Sequence, residues 1–224
     1  MRPLIIAIDG PSGAGKGTVA RALAEHLHYR HIDTGAMYRA VAWKALSRRL
    51  DLADADALAA IARQGVFKLL NGRVVIDDDD VTSIIRTPEI DEAAAIVARH
   101  PAVRAALVEH QRRYGDTGGL VMEGRDIGTV VFPRADVKLY LDASPDERAR
   151  RRKTDMAHAV SRGNSGVDAV AQALEARDHS DRTRPVSPLT IASDAIYIDT
   201  TAIPVSDVVQ KALAIVSNVI GQLP

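Results

Sequence analysis

Near the start of the chain, nine residues have the composition of an anion cradle: Gly10-Pro11-Ser12-Gly13-Ala14-Gly15-Lys16-Gly17-Thr18. Glycines at 10, 13, 15 and 17 allow successive backbone N–H groups to converge on one point. A helix opening at Lys16 aims the positive end of its dipole at the same point. Lys16 adds a mobile cation that reaches the outer phosphates of a nucleotide. The ligand this implies is a nucleoside triphosphate. The general form of such a loop has Ser or Thr directly after its lysine, whereas here Gly17 intervenes and the hydroxyl comes at Thr18. A Mg²⁺ ion is therefore expected on phosphate oxygens and water, with Thr18 the one candidate side-chain ligand.

Later clusters carry charge suited to a second anion. Asp33-Thr34-Gly35-Ala36-Met37-Tyr38-Arg39 follows one apolar run, and Glu123-Gly124-Arg125-Asp126-Ile127-Gly128-Thr129 follows another. Open α/β sheets place ligands at the carboxyl edge of their strands, which makes Arg125 and Asp126 candidates. Arg39 taken alone reads equally as a solvated helix residue. In Arg177-Asp178-His179-Ser180-Asp181-Arg182-Thr183-Arg184, residues Arg177, Asp181 and Arg184 are spaced i, i+4, i+7 and share a helix face. A surface ion-pair ladder is the plainer reading of that face. Arg148, Arg150, Arg151, Arg152 and Lys153 crowd one helix that runs into Ser161-Arg162-Gly163-Asn164-Ser165-Gly166. Alone they read as a solvated basic face. Beside a phosphate loop they read as a hinged lid over residues 148–185, because phosphoryl transfer gathers anions that arginines neutralise.

No general base is evident. The seven histidines pair with no acid in a recognisable motif, and His26 and His28 read as surface residues without zinc-type spacing. A phosphate acceptor is already an anionic nucleophile, so catalysis would rest on alignment and charge neutralisation.

The elements that position these groups are legible. Five short apolar runs, Leu4–Asp9, Arg30–Asp33, Leu120–Glu123, Val137–Asp142 and Ala195–Asp199, read as strands, and each ends in an acid. Continuous apolarity suits parallel strands covered on both faces. Helical patterns lie between them, such as the stripe Val19, Ala20, Leu23, Ala24 and Leu27. Ser144-Pro145-Asp146-Glu147 reads as a helix start with a capping box. The alternation predicts a doubly wound, parallel five-stranded α/β sheet with helices on both faces. Residues 35–110 break it as an insertion that forms a second small domain with a β-hairpin, Val66–Leu70 and Arg73–Ile76 around Asn71-Gly72. The run Asp77–Asp80 lacks the spacing of a calcium loop and reads as a solvated loop.

Composition bounds the function. Lys plus Arg and Asp plus Glu both number 29 in the 224 residues, and a zero formal charge argues against a nucleic-acid partner. The chain has no cysteine, which excludes a disulfide framework and thiolate metal sites. The first apolar run is core strand rather than signal peptide, and no run approaches a membrane span; a soluble cytoplasmic protein is expected.

Taken together, the loop at 10–18, Asp-Thr-Gly-Ala-Met-Tyr-Arg at 33–39, Glu-Gly-Arg-Asp-Ile-Gly-Thr-Val-Val-Phe-Pro at 123–133 and Arg-Asp-His-Ser-Asp-Arg-Thr-Arg at 177–184 resemble the bacterial cytidylate kinases. The likeness runs from about residue 4 to residue 215. It implies a single P-loop NTPase-type kinase domain over 1–224, with a monophosphate-binding insertion and a short lid. The implied reaction is ATP plus CMP or dCMP to ADP plus CDP or dCDP, with Mg²⁺, in pyrimidine nucleotide metabolism, by a monomer. Gly10 to Thr18 would cradle ATP, with Lys16 on its β- and γ-phosphates. Arg39, Arg125 and Arg184 would grip the CMP phosphate. Arg104 and Asp126 would read the cytosine edge, and Arg177 and Asp181 would hold the sugar hydroxyls. Thr34 and Tyr38 would shape the acceptor pocket, and Arg151 or Arg152 would close over ATP. The resemblance also leads to the expectation of a hydroxyl near the cytosine between Glu92 and Val97, where this chain reads Ala93-Ala94-Ala95-Ile96. Base selection then leans on Arg104 and Asp126, with greater tolerance of UMP. Two other readings compete: a P-loop kinase for UMP, AMP or shikimate, and a nucleotide-driven switch. The Asn-Lys-x-Asp segment of guanine-reading switches is absent.

Overall fold

The structure, a computed structural model, describes residues 3–70, 72–154 and 167–222. Its central sheet contains β1 (Ile5–Asp9), β2 (Arg30–Asp33), β6 (Leu120–Gly124), β7 (Val137–Asp142) and β8 (Ile196–Asp199), in the order β2-β6-β1-β7-β8. All four pairings are parallel, with Asp9 level with Gly124 on one side and Tyr140 on the other. The five expected runs are these five strands. β1 and β8 each begin one residue later than their runs, and β6 extends one residue further to Gly124.

Side chains alternate across the sheet and so feed two cores. Ile6 and Ile8 of β1 and Val121 of β6 pack with Val19 and Leu23 of α1 (Lys16–Leu27) and with Val208, Ala212 and Val216 of the C-terminal helix, α8 (Val205–Gln222). Ala7 of β1 and Leu120 and Met122 of β6 face the opposite core. That core is completed by α2 (Thr34–Ser47), α3 (Ala55–Gln64), α4 (Pro88–Val97) and α5 (Pro101–Arg113). The insertion's helices therefore share one core with the sheet.

The hairpin forms as expected from β3 (Phe67–Leu70) and β4 (Arg73–Ile76). Its turn residue Asn71 lies outside the described residues. Beyond it the acidic run is not wholly loop, since β5 (Asp79–Asp80) pairs with Val75 and Ile76. Asp77 and Asp78, at φ 49° and 68°, make the left-handed turn between β4 and β5. The acids meet cations rather than water alone. Lys44 of α2 pairs with Asp77 and Asp79, Lys68 with Asp78 and Arg73 with Asp80, which pins the small sheet to α2. Two further helices, α6 (Pro145–Thr154) and α7 (Val167–Thr183), stand beside the sheet's carboxyl edge. The Ser161–Gly166 segment expected to hinge a lid lies outside the described residues.

Candidate active site

β1 ends at Asp9, and the chain turns into α1 through Gly10 (φ 144°), Gly13 (φ 81°) and Gly15 (φ 89°). Close packing adds to the backbone requirement. A Cβ on Gly10 would lie 1.9 Å from the Leu141 carbonyl oxygen, and one on Gly13 would lie 2.9 Å from that of Arg148. The N-cap Gly15 offers α1 no side-chain acceptor, which leaves the first-turn N–H groups to a ligand. Lys16 Nζ donates to the Pro11 carbonyl at 2.7 Å. Burial, reinforced by the Arg125 charge, pulls its ammonium down to about 7. Beneath the loop, Asp9 accepts from Ile127 N at 2.8 Å and Gly128 N at 2.7 Å, and burial pushes its carboxyl up to about 6. Asp9 thereby ties the root of the loop to the turn that carries Arg125 and Asp126.

Opposite the loop, guanidinium groups converge. Asp33 caps α2 through Ala36 N at 3.2 Å and pairs with Arg39 at 2.7 Å. Burial opposes the Asp33 charge, but Arg39 and His31 hold its carboxyl below the ordinary range. Arg104 pairs with Asp126 and lies 5.4 Å from the centre of the Tyr38 ring, a cation–π distance. Burial pushes the Tyr38 hydroxyl up to about 12. Thr34 donates to the Glu123 carbonyl at 2.7 Å. Arg125 donates to one Asp181 oxygen at 2.9 Å and Arg184 to the other at 3.0 Å. Arg177 lies 3.9 Å from Asp91, which also pairs with Arg152. Burial and then Arg125 pull the Arg177 guanidinium below its ordinary range; burial and then Arg104 do the same for Arg184. Three buried donors, Arg39 Nε, Arg104 Nε and Arg184 Nη2, have no hydrogen-bond partner among the described residues. Crowded cations with unused buried donors suit an anionic ligand.

Both groups line one cleft of about 920 Å³. Its described lining holds twelve Lys and Arg against five Asp and Glu, so a chain of zero net charge concentrates positive charge at one place. Ser12 to Thr18, Thr34, Tyr38, Arg39, Arg104, Arg125, Asp126, Arg151, Arg152, Arg177, Asp181 and Arg184 all face it. Gly10 and Pro11, expected to cradle ATP with the rest of the loop, form its root and do not line the cleft. Ala94, Ala95 and Ala98 of the α4 region form an apolar wall where a hydroxyl was expected. Among the described residues no three His, Asp or Glu side chains group as a metal site.

The α6 start differs in one respect from the expected capping box. Ser144 does accept from Glu147 N, at 3.3 Å, but the Glu147 carboxylate reaches forward to Arg150 and Arg151. A hydrogen bond from Arg150 holds Glu147 down at about 2. Arg151 also donates to the Thr200 carbonyl at 2.6 Å. Sequence reasoning missed several participants. His31 pairs with Glu123 at 3.0 Å, Asp91 is the counter-charge for two arginines, and Thr200 anchors Arg151. None stands in a dense charge motif: His31 lies within β2, Asp91 in the first turn of α4, and only Thr200 directly follows a strand end.

The parallel sheet, the glycine loop and the arginine-lined cleft define a P-loop kinase of the α/β class. Shikimate kinase from Acinetobacter baumannii in complex with shikimate shares this fold at a TM-score of 0.50 and 17% identity, covering 99% of this chain and 96% of that one. At that identity the likeness speaks to the fold alone. The cytidylate kinase family profile matches residues 6–218. A cytidylate kinase of Pelotomaculum thermopropionicum is 50% identical over 219 residues, covering 95% of each chain. Another, of Desulfitobacterium hafniense, is 45% identical over 218 residues, covering 96% of this chain and 93% of that one. The chain belongs to the cytidylate kinase family.

Proposed function

We propose that the protein transfers the γ-phosphoryl group of ATP to CMP or dCMP, giving ADP and CDP or dCDP. The observation that carries this reading is that Arg39, Arg125 and Arg184, from three separate stretches, meet opposite the phosphate loop in one cleft. ATP lies on the loop amides and Lys16. The CMP phosphate takes the three guanidiniums, and in doing so relieves Asp181 of Arg125 and Arg184. The Asp181 oxygens, with Arg177, then serve the sugar hydroxyls. Cytosine offers its amino group to Asp126 and ring acceptors to Arg104. Uracil would set an acceptor against the Asp126 carboxylate, and an unpaired polar contact of this kind discriminates between bases. Arg151 and Arg152 neutralise charge gathering on the transferred group.

Hard oxygen donors fit Mg²⁺, and Thr18 is the cleft hydroxyl nearest in sequence to Lys16. When bound, the ion supplies charge neutralisation on the phosphates. We assign residues 35–110 to monophosphate binding and 148–185 to the lid, and take the protein to act as a monomer, since one chain supplies every group named. Among the described residues no helix is long and apolar enough to cross a membrane. We take the reaction to belong to cytoplasmic pyrimidine nucleotide metabolism. Initial rates at fixed MgATP against CMP, dCMP, UMP, AMP and shikimate test the reading. CMP and dCMP should be preferred; preference for AMP or shikimate would refute it.

A further inference from the structure

A buried ion pair that does not itself line the cleft joins its two ends. Arg148, near the start of α6, and Asp178, within α7, are 6% and 1% exposed, and neither lines the cleft. They pair with each other. Arg148 Nη1 also donates to the Ser12 carbonyl at 3.1 Å, and its Nε donates to the Ala143 carbonyl at 3.1 Å. The second oxygen of Asp178 accepts from Ser12 N at 3.3 Å. The main chain of Ser12, inside the phosphate loop, is therefore gripped at both its N–H and its carbonyl. Gly13 is what allows the approach, since a Cβ there would fall 2.9 Å from the Arg148 Cβ.

On α7, Asp178 lies between Arg177 and Asp181. Arg177 and Asp181 face the cleft, while Asp178 reaches the loop. α6 and α7 meet through Ala149, Val170 and Leu174, a small apolar cluster separate from the two cores of the sheet. Apolar contact of that kind sets no register against the loop. A guanidinium–carboxylate pair whose two members each also bond the Ser12 main chain does, because its hydrogen bonds are directional.

We propose that Arg148 and Asp178 are positioning residues for phosphoryl transfer, fixing the loop that holds the donor relative to the helix that bears Arg177 and Asp181. The proposal rests on the two-nucleotide reading above. A buried pair contributes little stability compared with apolar side chains of similar size, so placement is the better account of its presence. Misplacement by about 1 Å costs transfer about 10²-fold.

The test is Asp178→Asn, which keeps an acceptor for Ser12 N but removes the charge that holds Arg148. We expect kcat to fall about 100-fold, while ATP and CMP, each titrated alone, bind within about threefold of the unmodified protein. A solely structural pair would lower the unfolding temperature and leave kcat of the folded protein intact, so a kcat within about threefold overturns the proposal. Should Asp178→Asn fail to fold, Arg148→Met with Asp178→Leu exchanges the buried pair for apolar side chains. That double variant should fold and keep the deficit in kcat; recovery of kcat overturns the proposal. ADP release by the unmodified protein on addition of CMP, measured alongside, reports separately on the functional reading.

Discussion

The two ends of the cleft are made of different material. The donor end is main chain: the consecutive residues Ser12 to Thr18, held by glycines packed against β7 and α6, with Lys16 as their cation. The acceptor end is side chain: guanidiniums drawn from α2, α5, the turn after β6 and the end of α7. Amides need only be aimed, and packing does that. Guanidiniums must be desolvated and kept apart, which is why Asp33, Asp126, Asp181 and Asp91 stand beside them. The acceptor end is thus an exchange site, where a phosphate replaces carboxylates the protein already supplies. Damage to one end should therefore spare the other.

The sharpest separation is expected from Arg125→Ala. The kcat/KM for CMP should fall about 10³-fold while ATP affinity stays within about threefold. Steady-state kinetics beside ATP titration reads both, and an equal loss of ATP affinity would erase the distinction. At the donor end, Gly10→Ala meets the Leu141 carbonyl and a backbone angle side chains avoid, and should cost about 3 kcal/mol or more of stability. Gly72→Ala, which meets nothing within 4 Å, should cost only about 1 kcal/mol through its φ of 78°. Thermal unfolding compares the two.

The pH response sharpens the contrast further. Because the Lys16 ammonium titrates at about 7 rather than 10.5, kcat/KM for ATP should fall as pH rises through that value. The kcat profile should hold to higher pH, since bound phosphates favour the ammonium. Alkaline limbs that coincide would contradict this. The same shift makes this group's stability contribution rise with pH between about 7 and 10.5, where the unfolded chain holds the extra proton. The smallest effect is expected from Ala95→Ser, which adds a hydroxyl to the apolar wall. It should raise the preference for CMP over UMP by about tenfold or less, read as a ratio of kcat/KM values.

The central strands were legible because strands buried on both faces must be continuously apolar, and each began and ended within a residue of its run. β5 was not, because two aspartates form a strand only through pairing with Val75 and Ile76, which no local pattern encodes. The arginines of the cleft were legible by type, but their partners were not. Arg125 meets Asp181 across 56 residues, and Arg104 meets Asp126 across 22. Only Arg177, Asp181 and Arg184 declared themselves as a set, because helix geometry converts spacing into a face. Among the crowded basic residues of α6, composition does not say which turns inward. It is Arg148, admitted by the missing side chain of Gly13, which is distant in sequence and so gives no local cue.

The central claim is that the acceptor is recognised by its phosphate. ADP release from MgATP, followed with CMP, with cytidine and with neither, tests it most directly. We expect CMP to accelerate release strongly and cytidine to leave it at the rate seen with neither. Equal acceleration by cytidine, or none by CMP, would contradict the account.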